Sequence, residues 1–400
     1  MSDTAVRRRL HANLVAGVGL GSTGYIAAIT VATIVAKQLS GGTALAGLPG
    51  AAIVLGSAAG SQLLSRRMAR SGRRGGLALG YGIGTAGALL AGAAVVLASF
   101  PLFLAATVAM GFANSANQLS RYAAADMYEG PRRASAIGLV VWGSTFGAVV
   151  GPNLVTFAGG LAEGLDLPRL AGIYGITILF VGAAALLTLV GLRPDPSTVV
   201  HGAGAAARDA GASLGALLRR RRVQAAIVAL VVGQVVMVLV MTMTPLHMTE
   251  HGHGLEAVGL VISGHTLGMF AFSPLSGRLT GRLGAPTMIA AGIAVSAFSA
   301  TLAAVAPPDG GTLLFVALFL LGLGWNFGFV AGSAHLTDGL LPAERLRLQG
   351  LTDALIWSAA AGAALGSGIV VAVAGYTALG LLGAAVMLVP LAALLRGRAP

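Results

Sequence analysis

The sequence contains no cysteine. Disulfides, thiolate metal sites and a cysteine nucleophile are therefore excluded. Charge is scarce as well: 10% of the 400 residues are Asp, Glu, Lys or Arg, against about 25% in an average soluble domain. Catalytic signatures are missing. There is no His-Glu-x2-His and no Gly-x-Ser-x-Gly, so no enzyme is expected, and no Gly-x4-Gly-Lys-Ser/Thr loop that would hold ATP. What is present is apolar: 56% of the residues are hydrophobic and 60 are glycine. A soluble core cannot hide that much apolar surface, whereas a helix in lipid tolerates apolar residues all round.

The apolar residues fall into twelve blocks of about 20 residues or more, enough to cross a hydrocarbon core of roughly 30 Å. They run near 12–38, 44–66, 75–98, 102–126, 133–160, 169–192, 222–248, 255–279, 284–306, 312–339, 345–374 and 376–395. Barrel strands would alternate and need only about 10 residues each, so the expectation is an all-α membrane protein. Small residues suit it, because they let membrane helices approach closely.

The formal net charge of +12 suggests nucleic acid until it is mapped. Arg7–Arg9, the run Arg66 to Arg74, Arg132 and Arg133, Arg193 to Arg222, Arg278 and Arg282, Arg345 and Arg347, and Arg396 and Arg398 all fall on one set of alternate loops. Lys37 and Arg169 are the cations of the other set. This is the positive-inside pattern, which expects both termini in the cytoplasm. Charges dispersed in this way argue against a nucleic-acid partner. The first block is too long for the apolar region of a cleavable signal, so it is expected to remain as the first span.

The longest interruption, 193–221, holds Pro194 and Pro196 and ends in Arg219–Arg222. It divides the chain into a half at 1–192 and a half at 222–400, joined by a linker that is expected to be cytoplasmic and partly an amphipathic helix. A weak repeat supports the division. Ser65-x3-Ala69-Arg70-x-Gly72-Arg73-Arg74 follows the second block, and Gly277-x3-Gly281-Arg282-x-Gly284 follows the eighth. At these residues the chain resembles the major facilitator superfamily. Ala69 and Gly281 stand where that family carries an acidic residue, so its ion pair is missing from both copies. The resemblance implies two pseudo-symmetric six-helix halves, a cavity lined by helices one, four, seven and ten, and alternating access around a midplane site.

The most informative stretch is Val235–Met269. Met237 and Met241 are four apart and share one face of the seventh helix; His265 and Met269 repeat that spacing on the eighth. By helical rise Met237 lies roughly 22 Å in from one side and His265 roughly 15 Å in from the other, near a common midplane depth. Soft sulfur and imidazole ligands select Cu(I), and an ionisable side chain at that depth is a functional candidate by default. Met-x3-Met followed by His-x3-Met on these two helices resembles the CcoA-like copper importers. That resemblance implies import of copper across a bacterial cytoplasmic (inner) membrane, with no resident cofactor and with Met237, Met241, His265 and Met269 as the ligands of the cargo. The outer segment His247, Met248, His251 and His253 is a candidate capture site, and Pro245 is expected to kink the helix before it. Asn114 and Gln118 on the fourth helix and Asn326 on the tenth are candidate cavity residues, and Arg121 and Asp126 a candidate ion-pair gate. Gly138-x8-Gly147-x3-Gly151-Pro152 resembles the glycine pattern of proton-coupled drug antiporters and sustains the alternative: an exporter or importer of a small organic solute. Protein partners are not legible.

Overall fold

The computed structural model describes residues 3–41, 45, 47–199, 212–253, 255–307 and 311–398. Every regular element among them is helical: α1 (Asp3–Ser40), α2 (Leu48–Val96), α3 (Phe100–Ala125), α4 (Pro131–Glu163), α5 (Gly172–Gly191), α6 (Leu214–Leu218), α7 (Arg221–Glu250), α8 (Leu255–Phe270), α9 (Ser273–Leu283), α10 (Ala285–Val305), α11 (Gly311–Thr337), α12 (Pro342–Val386) and α13 (Leu388–Arg398). A single 3-10 turn, Arg169–Ala171, leads into α5.

Nine candidate spans among the described residues are long and apolar enough to cross a membrane. Two of them, of 49 and 53 residues, are too long for one crossing of roughly 30 Å at 1.5 Å per residue. Each contains a glycine that reverses the chain: Gly72, with φ 78° and ψ 172°, and Gly375, with φ 80° and ψ 172°. Such torsions are open to glycine and strained for any residue with a Cβ. Counting those two spans double and adding α3, of 26 residues, the described residues form twelve transmembrane helices.

The eighth span departs from the sequence reading. It is expected as one helix at 255–279 but is built from α8 and α9, broken at Ala271 and Phe272. Pro245 departs too. It lies inside α7, and the helix continues through it to Glu250. The middle of the linker, 200–211, where an amphipathic helix is expected, lies outside the described residues.

The chain clusters into two compact units. The first comprises residues 1–127, 143–210 and 349–357; the second comprises 128–142, 211–348 and 358–400. In the first unit α2 and α3 pack most intimately. Gly111 is the reason: a Cβ there would meet the Ser57 backbone nitrogen at 2.6 Å, so only hydrogen lets the two backbones touch. Ala27, Val31, Ala91, Phe103, Met110 and Tyr174 form the apolar core of this unit. The core of the second unit gathers Val236, Val240, Met248, Ile289, Leu314, Leu318 and Leu379.

Candidate functional site

In the second unit, Met237 is buried and Met241 packs half-buried against the core. His265 has no exposed surface. Its Nδ1 lies 2.8 Å from the Leu318 carbonyl on α11. A carbonyl only accepts, so Nδ1 carries the proton and Nε2 keeps its lone pair. That Nε2 is buried without a hydrogen-bond partner, an arrangement rare enough to need a reason. Close approach of α8 to α11 sets the geometry: a Cβ on Gly322 would collide with the His265 carbonyl oxygen and with the Met269 nitrogen. The His265 and Met269 face of α8 therefore leans on α11. Helix α7 also leans on α11, and on α10 and α13, and touches α8 little. The structure thus unites each pair on its own helix and shows no direct bond between the Met237/Met241 pair and His265. Among the described residues no cluster of three or more His, Cys, Asp or Glu side chains is placed to hold a metal ion; thioethers stand outside that set.

One turn before Met237, Gln234 accepts a 2.8 Å hydrogen bond from the Trp325 indole. Trp325 stacks on Phe329 with centroids 4.4 Å apart and meets Phe270 edge-on at 5.9 Å. An aromatic ladder with an amide at its side thus sits on α7, α8 and α11. Nothing in the periodicity singled out Gln234. Its one signal was that it is a polar residue inside an apolar helix. Asn326 is fully buried and explains how the broken span is held. Its amide donates to the Met269 carbonyl at 2.6 Å and to Ser273 Oγ at 2.5 Å, and its carbonyl accepts from Ser276. These bonds satisfy backbone and hydroxyl groups that the break would strand.

At the far end of α7, His247 stacks on Tyr376 at 4.2 Å and lies 4.4 Å from the His251 ring. His251 Nδ1 is 2.7 Å from the His247 carbonyl, and Tyr376 shares a 2.7 Å hydrogen bond with Thr244. His253 is half-buried. Met248 has no exposed surface and belongs to the core. The structure therefore gathers His247 and His251 but turns the Met248 thioether away from any exposed capture surface.

In the first unit, Asn114 donates to Ser57 Oγ at 3.1 Å. Arg121 holds Gln118 Oε1 at 3.1 Å, donates to the Tyr122 hydroxyl at 2.9 Å and lies over the Tyr122 ring. Arg121 and Asp126 each pair with a residue of another element. Arg121 pairs with Asp353 at 2.7 Å, and Asp126 pairs with Arg73 at 2.8 Å. The reason is geometric: residues five apart on a helix diverge by more than one turn, so each charge is closer to a neighbouring element. Arg73 also donates to Gln349 at 2.7 Å. The repeat motif thus finds its carboxylate at Asp126, although Ala69 supplies none. In the second unit Asp338 holds both Arg222 and Arg133, the latter at 3.4 Å. Burial works to raise the Asp338 pKa, but the Arg222 hydrogen bond and the charges of Arg222 and Arg133 outweigh it and hold the carboxyl below its ordinary value.

Two compact helical units, a repeated glycine–arginine turn and a buried Arg73–Asp126 pair at its first copy define a secondary-transporter architecture. The sequence profile of the Major Facilitator Superfamily matches residues 14–263, and the chain belongs to that superfamily. Among curated relatives it is 39% identical over 94% of its length to the uncharacterized MFS-type transporter YdeG of Bacillus subtilis, covering 90% of that protein. It is 34% identical over 92% of its length to the riboflavin transporter RfnT of Brucella anthropi, again covering 90% of it. Among solved structures, the transporter FucP in an outward conformation aligns with a TM-score of 0.79 at 16% identity, over 98% of this chain and 99% of that one. At that identity the likeness speaks to the fold.

Proposed function

We propose that this transporter carries a planar, polar organic solute of the flavin kind, by alternating access across a bacterial cytoplasmic membrane with both termini inside. The observation that carries the reading is the Trp325–Phe329–Phe270 ladder with Gln234 bonded to the indole. Aromatic faces favour offset stacking with a flat heterocycle, and a side-chain amide can read its polar edge. The relative with a named substrate, RfnT, carries riboflavin and resembles this chain over 92% of its length. The test is uptake of labelled riboflavin by a riboflavin-requiring bacterium expressing the protein. Uptake above the empty vector, reduced on the order of ten-fold by Trp325→Ala through loss of a stacking partner, is expected. No uptake with the protein present in the membrane overturns the reading.

A second reading, copper import, is favoured by His265. Its Nε2 lone pair is buried, unpartnered and one helical turn from Met269, and it is the kind of donor that takes Cu(I) with thioethers. Cellular copper measured in an import-deficient host decides it. A rise that vanishes in Met237→Ala/Met241→Ala supports copper; unchanged accumulation in that double variant removes it.

A further inference from the structure

The end of α7 opposite Arg221 carries two imidazoles on one face. His247 and His251 are four residues apart, the helical spacing at which two histidines share one metal ion. Each ring is already oriented. His247 lies flat on Tyr376, with 8° between the planes, and Tyr376 is buried and anchored through its hydroxyl to Thr244. His251 is oriented by its own Nδ1, which donates to the His247 carbonyl. That bond fixes the tautomer, because a carbonyl only accepts. Nε2 therefore carries a lone pair, and the residue is exposed. A backbone carbonyl receiving the other ring N–H is the usual support behind a metal-ligating histidine. Two nitrogens bound to one Zn²⁺ at about 2.1 Å stand roughly 3.4 Å apart, within reach of rings whose centroids are 4.4 Å apart. Among the described residues no third histidine or carboxylate completes a cluster with them. For His253 the reason is visible. The chain turns at Gly252, with φ 83°, and the His253 ring lies against the start of α11, where a Cβ on Gly311 would meet its Cε1 at 3.1 Å.

We propose that His247 and His251 bind a divalent transition metal of the Zn²⁺ class, with water completing the coordination. Imidazole nitrogen suits that class, whereas Mg²⁺ and Ca²⁺ take oxygen ligands. Coordination clips the last turn of α7 and, through the stack of His247 on Tyr376, steadies the chain beside the Gly375 reversal. The site shares no residue with the aromatic ladder or with Met237, Met241, His265 and Met269, so it is independent of which solute is carried.

The test is calorimetric titration of Zn²⁺ into the full-length protein in detergent, purified without a polyhistidine tag, with Mg²⁺ titrated in parallel. Saturable binding of one Zn²⁺ per chain and no response to Mg²⁺ are expected. His251→Ala removes one of two ligands at an exposed position. It is expected to weaken binding by more than about 100-fold, beyond what loss of an outer partner of a ligand costs. The melting midpoint should rise with Zn²⁺ in the parent protein and stay unchanged in His251→Ala. His253→Ala and His265→Leu are expected to bind Zn²⁺ as the parent does. Absence of saturable Zn²⁺ binding, an equal response to Mg²⁺, undiminished binding in His251→Ala, or lost binding in His253→Ala or His265→Leu overturns the proposal.

Discussion

Replacing Asp353 by leucine tests what the Arg121–Asp353 pair does. The two side chains are 1% and 2% exposed and 2.7 Å apart. At an effective dielectric of about 20, that separation corresponds to roughly 6 kcal/mol of attraction. Removing both charges from water costs a comparable amount, so the intact pair contributes little net stability. Removing one partner is different. Asp353→Leu takes the carboxylate away from the buried Arg121 guanidinium, which keeps its contacts with the neutral Gln118 and Tyr122 groups, at a cost of about 3–5 kcal/mol. For a unit of this size that lowers the melting midpoint by roughly 6–20 °C. Arg121→Met combined with Asp353→Leu removes the stranded charge and is expected to recover most of the loss. Melting of the purified single and double variants in one detergent gives the coupling. If the double variant melts as low as Asp353→Leu, the pair is not the source of the effect and the reasoning fails.

Gly72→Ala forces a Cβ into left-handed backbone and against the Asp195 carboxylate; a loss of about 1–3 kcal/mol is expected, read as a lower melting midpoint, and a neutral outcome would show that the turn relaxes. Asp338 has its pKa held below the ordinary 3.8, so the stability from its arginine contacts is fully present above that value and is lost only as pH falls through the lowered one. The difference in midpoint between the parent protein and Asp338→Asn should therefore be flat from pH 8 to about 5; a difference that changes in that window would place the titration elsewhere. His265→Leu loses the bond to Leu318 but also removes an orphaned nitrogen, so stability should change by about 1 kcal/mol or less while transport falls. Loss of the protein from the membrane would assign His265 to structure instead.

The spans were legible because block length is a one-dimensional property: the tenth was expected at 312–339 and is found at Gly311–Thr337. The breaks inside the long helices were legible for the same reason, since the charged run ending at Arg74 and the glycine at 375 interrupt the apolar pattern. Partners were not. Arg121 and Asp353 are separated by 232 residues, and in sequence Arg121 stands near Asp126, so spacing alone pointed away from Asp353. Spacing placed Met237 with Met241 and His265 with Met269 on common faces, but periodicity does not say which neighbour a face meets. For α8 that is decided by Gly268 and Gly322, where backbones touch. Asp195 sat unnoticed in the Arg-Pro-Asp-Pro start of the linker, because its role depends on amides 122 residues away.

Residues 349–357 belong to the first unit, although a ribosome makes them long after the rest of it. Until they emerge, Arg121 lacks Asp353 and Arg73 lacks Gln349. The N-terminal half is therefore an incomplete object during synthesis, with buried cations awaiting ligands from the eleventh span. An N-terminal fragment expressed alone should be a substrate for membrane quality control, and one rescued by co-expression of the missing half.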